Sequence, residues 1–366
     1  MKRTHKTVYM VIEMCIFFLF FCITVQAQDI QSIIEDLNNT SDYSALSEFA
    51  QKSESAVEAL LPANIFEFFL SCVKDSLSGV TRPMLTLMSI ILVANVVSIY
   101  KDNLSVSSAT LDYATLLAVM LVSFSLVTPL IVTVSDYLSD YTLFINSMSG
   151  TLSLVLTSSG NVSAAAASSA SSAFTMGITQ IISVNIILPC ARAVIALSTI
   201  STLSQSIDLS GITGFIRSFC TWGMGVLFAV FGGVHSAAVK IAAGADSLAV
   251  RGIRFSAARL IPVAGNMISE SMKTVLTGMS IIKSTAGGLG IAYILYSLLP
   301  AVCSVLCVKI VILTASFFSK LMGMSKHTSF FEGINASLNI LLAVCVFASV
   351  SGIIIFAVFM STTVNV

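Results

Sequence analysis

The sequence predicts an all-α, polytopic membrane protein with about seven or eight transmembrane helices behind an N-terminal signal sequence. Apolar residues make up 56% of the 366 residues and charged residues only 10%, whereas soluble domains carry about a quarter charged residues. The mean hydropathy is +0.96. A chain of this composition cannot cover a water-facing surface of ordinary size, so we expect the lipid bilayer to surround most of it.

Residues 1–27 have the three parts of a secretory signal sequence. Lys2, Arg3 and Lys6 precede an apolar run over residues 14–25, and Val25 and Ala27 supply small residues at a cleavage point. The run is short for a membrane span. This favours removal after Ala27 over an uncleaved anchor helix.

Residues 28–83 are acidic, with Lys52 and Lys74 as the basic residues before Arg82. Retained loops are the basic ones, so we expect this segment outside the cytoplasm. Apolar residues at helical spacing between Ile65 and Leu77 predict an amphipathic helix. That helix lies either on the membrane or a partner, or against the protein's own bundle.

Four long apolar runs predict transmembrane helices, because about 20 apolar residues cross a hydrocarbon core of about 30 Å. They cover residues 84–100, 114–134, 215–239 and 334–360.

Three further runs are irregular. Polar residues interrupt residues 142–157, while Asn185 and Pro189 predict a kink within residues 174–199. Residues 287–318 are apolar except for Lys309. That run is too long for one span and short for two, so Lys309 is interpreted as a boundary between short spans.

Charge divides the spans into a first bundle over residues 84–239 and a second group over residues 287–366. Residues 240–286 lie between them and are rich in Lys and Arg. We expect this cationic segment to be a cytoplasmic amphipathic or re-entrant element. With the chain after Ala27 starting outside, that placement needs an odd number of crossings, so residues 142–157 are counted as a span, which gives five crossings before the cationic segment.

The chain lacks the sequence patterns of the common enzyme and cofactor sites. It has no GxxxxGK[ST] loop, no GxGxxG, no HExxH and no GxSxG. Cys303 and Cys307 stand one helical turn apart without a His or acidic neighbour, which favours packing over a metal site. We therefore expect no catalytic residue, cofactor or metal, and the absence of a basic stripe argues against nucleic acid as a partner. An intramembrane hydrolase that pairs His235 with Ser201 or Ser236 is the enzymatic alternative.

Two sets of polar residues are candidate functional residues. Charged and polar groups inside a membrane are costly and face protein, water or the interface, which singles out Arg192, His235 and Lys309. Arg192 fits either the lining of a polar pathway or snorkelling from the end of a span. The candidates for docking a partner lie in the cationic segment and are Arg251, Arg254, Arg259, Asp246 and Glu270.

Residues 244–290 carry a more specific pattern. The chain reads GADSLAV over residues 244–250, IPVAG over 261–265, SESMKTV over 269–275 and IIK over 281–283. This order of elements, behind a signal sequence and an acidic segment, resembles the stage III sporulation protein AE family. Ser247 stands where that family commonly has glycine, Ala264 where it has valine, and Lys273 where it has an acidic residue.

The resemblance implies a role in endospore formation. Members of that family resemble permeases and belong to a mother-cell complex in the membrane around the forespore. This complex helps form a channel between the two cells. The resemblance also implies other stage III sporulation channel proteins as partners, including a separate ATPase, and assigns no catalytic residue. From the residues alone, a stand-alone secondary transporter of a small solute stays an alternative, and homo-oligomerisation stays open.

Overall fold

The computed structural model describes residues 62–100, 108–204, 209–260 and 264–361, so the signal sequence and most of the acidic segment lie outside the described residues. Within these ranges the chain is helical. Its elements are α1 (Pro62–Tyr100), α2 (Ser108–Ser158), α3 (Val162–Ile182), α4 (Leu188–Leu203), α5 (Ser210–Leu260), α6 (Ala264–Leu321) and α7 (Ser325–Ser361). The prediction of an all-α membrane protein is confirmed.

Six helical stretches are long and apolar enough to cross a membrane in the part of the chain that the structure describes. They are Ile65–Val97, Thr110–Ser158, Val162–Leu203, Ser210–Leu248, Thr285–Leu321 and Ser325–Ser361. The predicted count of seven or eight is therefore not confirmed. The difference arises from helices that continue where hydropathy suggests a boundary.

The first such place is in α2. The two spans predicted over residues 114–134 and 142–157 both belong to one helix of 51 residues, about 75 Å long at 1.5 Å per residue. Asp136 and Asp140, which lie between the two predicted spans, are exposed on the surface of this helix. The prediction of a separate span over residues 142–157 is wrong, because an exposed Asp lowers hydropathy without ending a helix.

The second place is in α6, which runs without a break through Lys309. The interpretation of Lys309 as a boundary is therefore wrong. Its ammonium group donates a hydrogen bond to Asn339 Oδ1 on α7 at 2.6 Å. This bond allows a cation to remain within an apolar helix.

The kink predicted near Pro189 corresponds to a π-helical segment, Ser183–Ile187, that joins α3 to α4. Proline lacks a backbone N–H, and its ring collides with the carbonyl group four residues earlier. A wider local helix accommodates Pro189 at the start of α4. The stretch Val162–Leu203 thus remains one continuous candidate span.

The cationic segment is helical on both sides of residues 261–263. In this segment α5 continues over residues 249–260 and α6 begins with residues 264–284, and these two extensions are about 18 Å and about 30 Å long. Asp246 lies within α5.

The last helix, α7, forms the core of the bundle, and more than half of its residues are buried inside the protein. It packs against α2, α3, α4, α5 and α6. Glycines permit the closest contacts: a Cβ at Gly290 on α6 would stand 2.8 Å from Cζ of Phe356, and one at Gly352 would collide with the Tyr141 hydroxyl. Small residues let transmembrane helices approach in this way.

The helix count also changes the topology argument. Four candidate spans, and not five, precede the cationic extension of α5 in the described ranges. If each crosses once, the residues before α1 and the cationic segment share one side of the membrane. In that case the acidic segment cannot lie outside the cytoplasm while the cationic segment lies inside it.

Candidate functional site

A polar face of α3 lies inside the bundle. Residues 163–173 consist only of Ala and Ser, a composition that fits either a packing helix or a flexible connector; the structure shows a packed helix. Spacings of three and four residues place five hydroxyl side chains on one side of this element and its π-helical continuation. They are Ser168, Ser172, Thr175, Thr179 and Ser183, and all are buried. We call these five hydroxyl side chains the polar seam.

Hydrogen bonds satisfy part of the polar seam. The Ser149 hydroxyl of α2 donates to Ser172 Oγ at 2.6 Å. The side-chain oxygens of Ser168, Thr179 and Ser183 are buried and have no hydrogen-bond partner among the described residues. The polar seam therefore contains one hydrogen bond between two helices and three oxygens that have no hydrogen-bond partner among the described residues.

His235 of α5 faces α3 beside the polar seam. Only 1% of its surface is exposed, and its Nδ1 lies 2.7 Å from the Ser171 hydroxyl. Its partner is thus Ser171, and not Ser201 or Ser236. No sequence signal indicates this pair, because the two residues are 64 positions apart and Ser171 belongs to an Ala and Ser tract.

Asp246 caps α3 from a distance. Its Oδ1 accepts the backbone N–H of Ser163 at 3.1 Å, and its Oδ2 accepts that of Ala164 at 2.7 Å. The first N–H groups of a helix have no partner within the helix, and a carboxylate also complements the positive end of the helix dipole. Asn161, the N-cap residue itself, makes no side-chain capping bond. The Asp246 carboxylate therefore acts as the N-terminal cap of α3.

The other predicted polar residues are dispersed. Arg192 is exposed on α4, and Lys309 is half-buried between α6 and α7 in its bond to Asn339. Arg251, Arg254 and Arg259 fall within the last ten residues of α5, and Glu270 lies in the first turns of α6. Their side chains lie outside the described part of the structure.

One cation of the extensions is buried. Lys283 lies in the extension of α6 and is enclosed by protein. Burial lowers the pKa of its ammonium group to about 8, because removal from water disfavours the charged form.

The described residues contain no group of three or more His, Cys, Asp or Glu side chains that could hold a metal ion. Cys303 and Cys307 are both buried in α6, and Cys307 Sγ approaches the backbone carbonyl of Val73 on α1 at 4.0 Å. These cysteines pack α6 against its neighbours.

Comparison with known proteins places this architecture in a family. A curated protein of Bacillus subtilis (strain 168), named stage III sporulation protein AE, is 27% identical over 161 residues, which is 44% of this chain and 40% of that relative. The chain thus aligns with less than half of the relative's length. No solved structure matches. The family model described as stage III sporulation protein AE matches residues 63–363, a region that includes all six candidate spans. Because this match covers most of the chain, the protein belongs to the stage III sporulation protein AE family.

Proposed function

We propose that this chain is a non-enzymatic membrane subunit of the channel complex that links mother cell and forespore during sporulation. Membership of the family supports a role in sporulation, and the six apolar helices make the chain a multi-pass membrane protein of spore-forming bacteria. The channel, its location around the forespore and its partners are the proposed part.

One observation carries the proposal: the family match extends over the whole helical bundle. The feature that the family shares is therefore the membrane bundle itself. Within the described residues two charged groups of that bundle hold helices together, as the bonds of Asp246 to α3 and of Lys309 to α7 show. A scaffold or conduit whose energy comes from a separate ATPase agrees with this use of polar groups.

The extensions of α5 and α6 in the cationic segment are the candidate surface for a partner. Residues 249–260 form the last turns of α5 and include Arg251, Arg254 and Arg259. Charged residues of one sign attract a partner of opposite charge and orient it. We propose that an acidic surface of another channel subunit docks here, with Glu270 on the neighbouring extension helping to fix its orientation.

The test replaces Arg251, Arg254 and Arg259 together by Glu in sporulating cells. We expect normal abundance in the membrane, loss of co-purification with other stage III sporulation proteins, and a large fall in spore formation. The matched control replaces the same three residues by Lys, which keeps the charge and should retain most spores. Unchanged sporulation and co-purification in the Glu variant would contradict the docking surface.

A second measurement addresses the transporter alternative. The purified wild-type protein, alone in liposomes, should drive no solute uptake on an ion gradient. Uptake would replace the subunit proposal by a stand-alone transporter.

A further inference from the structure

The contacts of Ser171 bear on which nitrogen of His235 carries a proton. Ser171 Oγ lies 2.6 Å from the backbone carbonyl of Ala167 and 2.7 Å from His235 Nδ1. A hydroxyl group has one hydrogen, and its donation to Ala167 makes Nδ1 the donor to Ser171 Oγ. In the neutral imidazole the other nitrogen, Nε2, then carries a lone pair and needs a donor.

No group among the described residues supplies that donor, since His235 Nε2 is buried and has no hydrogen-bond partner there. The Ser351 hydroxyl lies nearby, but it already donates to the carbonyl of Phe347 at 2.8 Å, so its oxygen can only accept. The imidazole lines a small cavity between α3, α5 and α7, together with Thr175, Ser351, Phe228, Phe231 and Gly232.

We propose that a water molecule binds in this cavity and donates a hydrogen bond to His235 Nε2. Its second hydrogen has the Ser351 oxygen as an acceptor, and its own oxygen can accept from Thr175. These are the two to four polar partners that a buried water requires. The backbone carbonyl of Ile355 also lies near the imidazole, and a bond to it from Nε2 is the rival arrangement, in which the ring is protonated at Nε2. The cavity has the size of a water molecule, and its polar groups make water its natural occupant.

The same need recurs along α3. The buried oxygens of Ser168, Thr179 and Ser183 lack partners in the described ranges, as does Gln180 Oε1. In an apolar surrounding each would leave a polar group unsatisfied at a considerable cost. Of the polar seam, Thr175 lines the cavity beside His235, so the proposed water belongs to that position of the seam. This inference is independent of the docking surface and of the sporulation partners.

Solid-state nuclear magnetic resonance on the ¹⁵N-histidine-labelled protein in lipid vesicles tests the site. The chain has three histidines, and His235→Phe identifies the signals of interest. We expect a neutral ring protonated at Nδ1, with polarisation transfer from water to the His235 ring. A ring protonated at Nε2, or a ring that receives no transfer from water, would overturn the proposal.

Variants of α3 keep the test independent of the folding of His235→Phe. Thr175→Val preserves shape and removes the hydroxyl at the cavity, so the water signal at His235 should be lost or greatly reduced. Thr179→Val removes a hydroxyl one turn further along the seam and should leave that signal in place. Ser171→Ala should shift the proton between the two ring nitrogens. Equal water signals in the wild type and in Thr175→Val would contradict the assigned site.

Discussion

Asp246 Oδ2 accepts the backbone N–H of Ala164 at 2.7 Å and thereby fixes the beginning of α3 to α5. Replacing a capping side chain by Ala costs about 0.5–2 kcal/mol. We expect Asp246→Ala to lower the unfolding free energy by about 1–2 kcal/mol, measured as a lower melting temperature in detergent. Asp246→Asn, which keeps one acceptor oxygen, should lose less. The adjacent Ser247, whose hydroxyl bonds within α5, provides the control Ser247→Ala; equal melting temperatures for both Ala variants would contradict the cap.

The bond between Lys309 and Asn339 predicts a non-additive pair. Removing one partner leaves a half-buried polar group unsatisfied, which costs about 1–3 kcal/mol, whereas replacing both by apolar groups is nearly neutral. Lys309→Met and Asn339→Leu should each reduce stability, and the double variant should be more stable than the sum of the two effects implies. Additive effects in chemical unfolding would show that the two side chains do not interact.

Gly290 predicts a steric defect at the contact of α6 and α7. An added Cβ would stand 2.8 Å from Cζ of Phe356, whose ring is fully buried and cannot move aside. We expect Gly290→Ala to destabilise the bundle by about 1–3 kcal/mol, as overpacking does. Gly225→Ala on α5 is the matched control, since nothing among the described residues lies within 4 Å of its added Cβ. This control should be neutral or slightly stabilising, and a similar loss in both variants would contradict the close contact.

Cysteine labelling decides the topology. In a background without native cysteines, single cysteines at Ser53 and Ser256 are exposed to an impermeant maleimide from outside. We expect equal labelling at the two positions, because four candidate spans separate them. The asymmetry of charge predicts the opposite, with Ser53 labelled and Ser256 protected. Unequal labelling would mean that one of the four helices does not cross.

Hydropathy is sufficient to predict the class of the fold, because a chain with so few charges needs lipid around it. It is insufficient to predict the number of helices. Asp136 and Lys309 lower local hydropathy, yet one is exposed on a helix surface and the other bonds to Asn339, 30 positions away. Whether a polar residue ends a helix or is accommodated by it depends on such distant partners.

The polar seam could not be predicted from the sequence for the same reason, since it too depends on distant partners. An Ala and Ser tract fits a flexible connector as well as a packing helix, and no local signal indicates that His235 faces Ser171. By contrast, the irregularity near Pro189 is a local property of the proline ring and can be predicted from the sequence.

The position of α7 at the core has a consequence for biosynthesis. This helix leaves the ribosome after the other described helices, yet it contacts α2, α3, α4, α5 and α6. Until it inserts, faces of these five earlier helices lack their partner, and Gly290 and Ser198 lack their neighbours Phe356 and Gly333. The bundle is therefore completed late in translation. A nascent chain that stops shortly before Ser325 forms a bundle without its central helix, which membrane quality control can recognise.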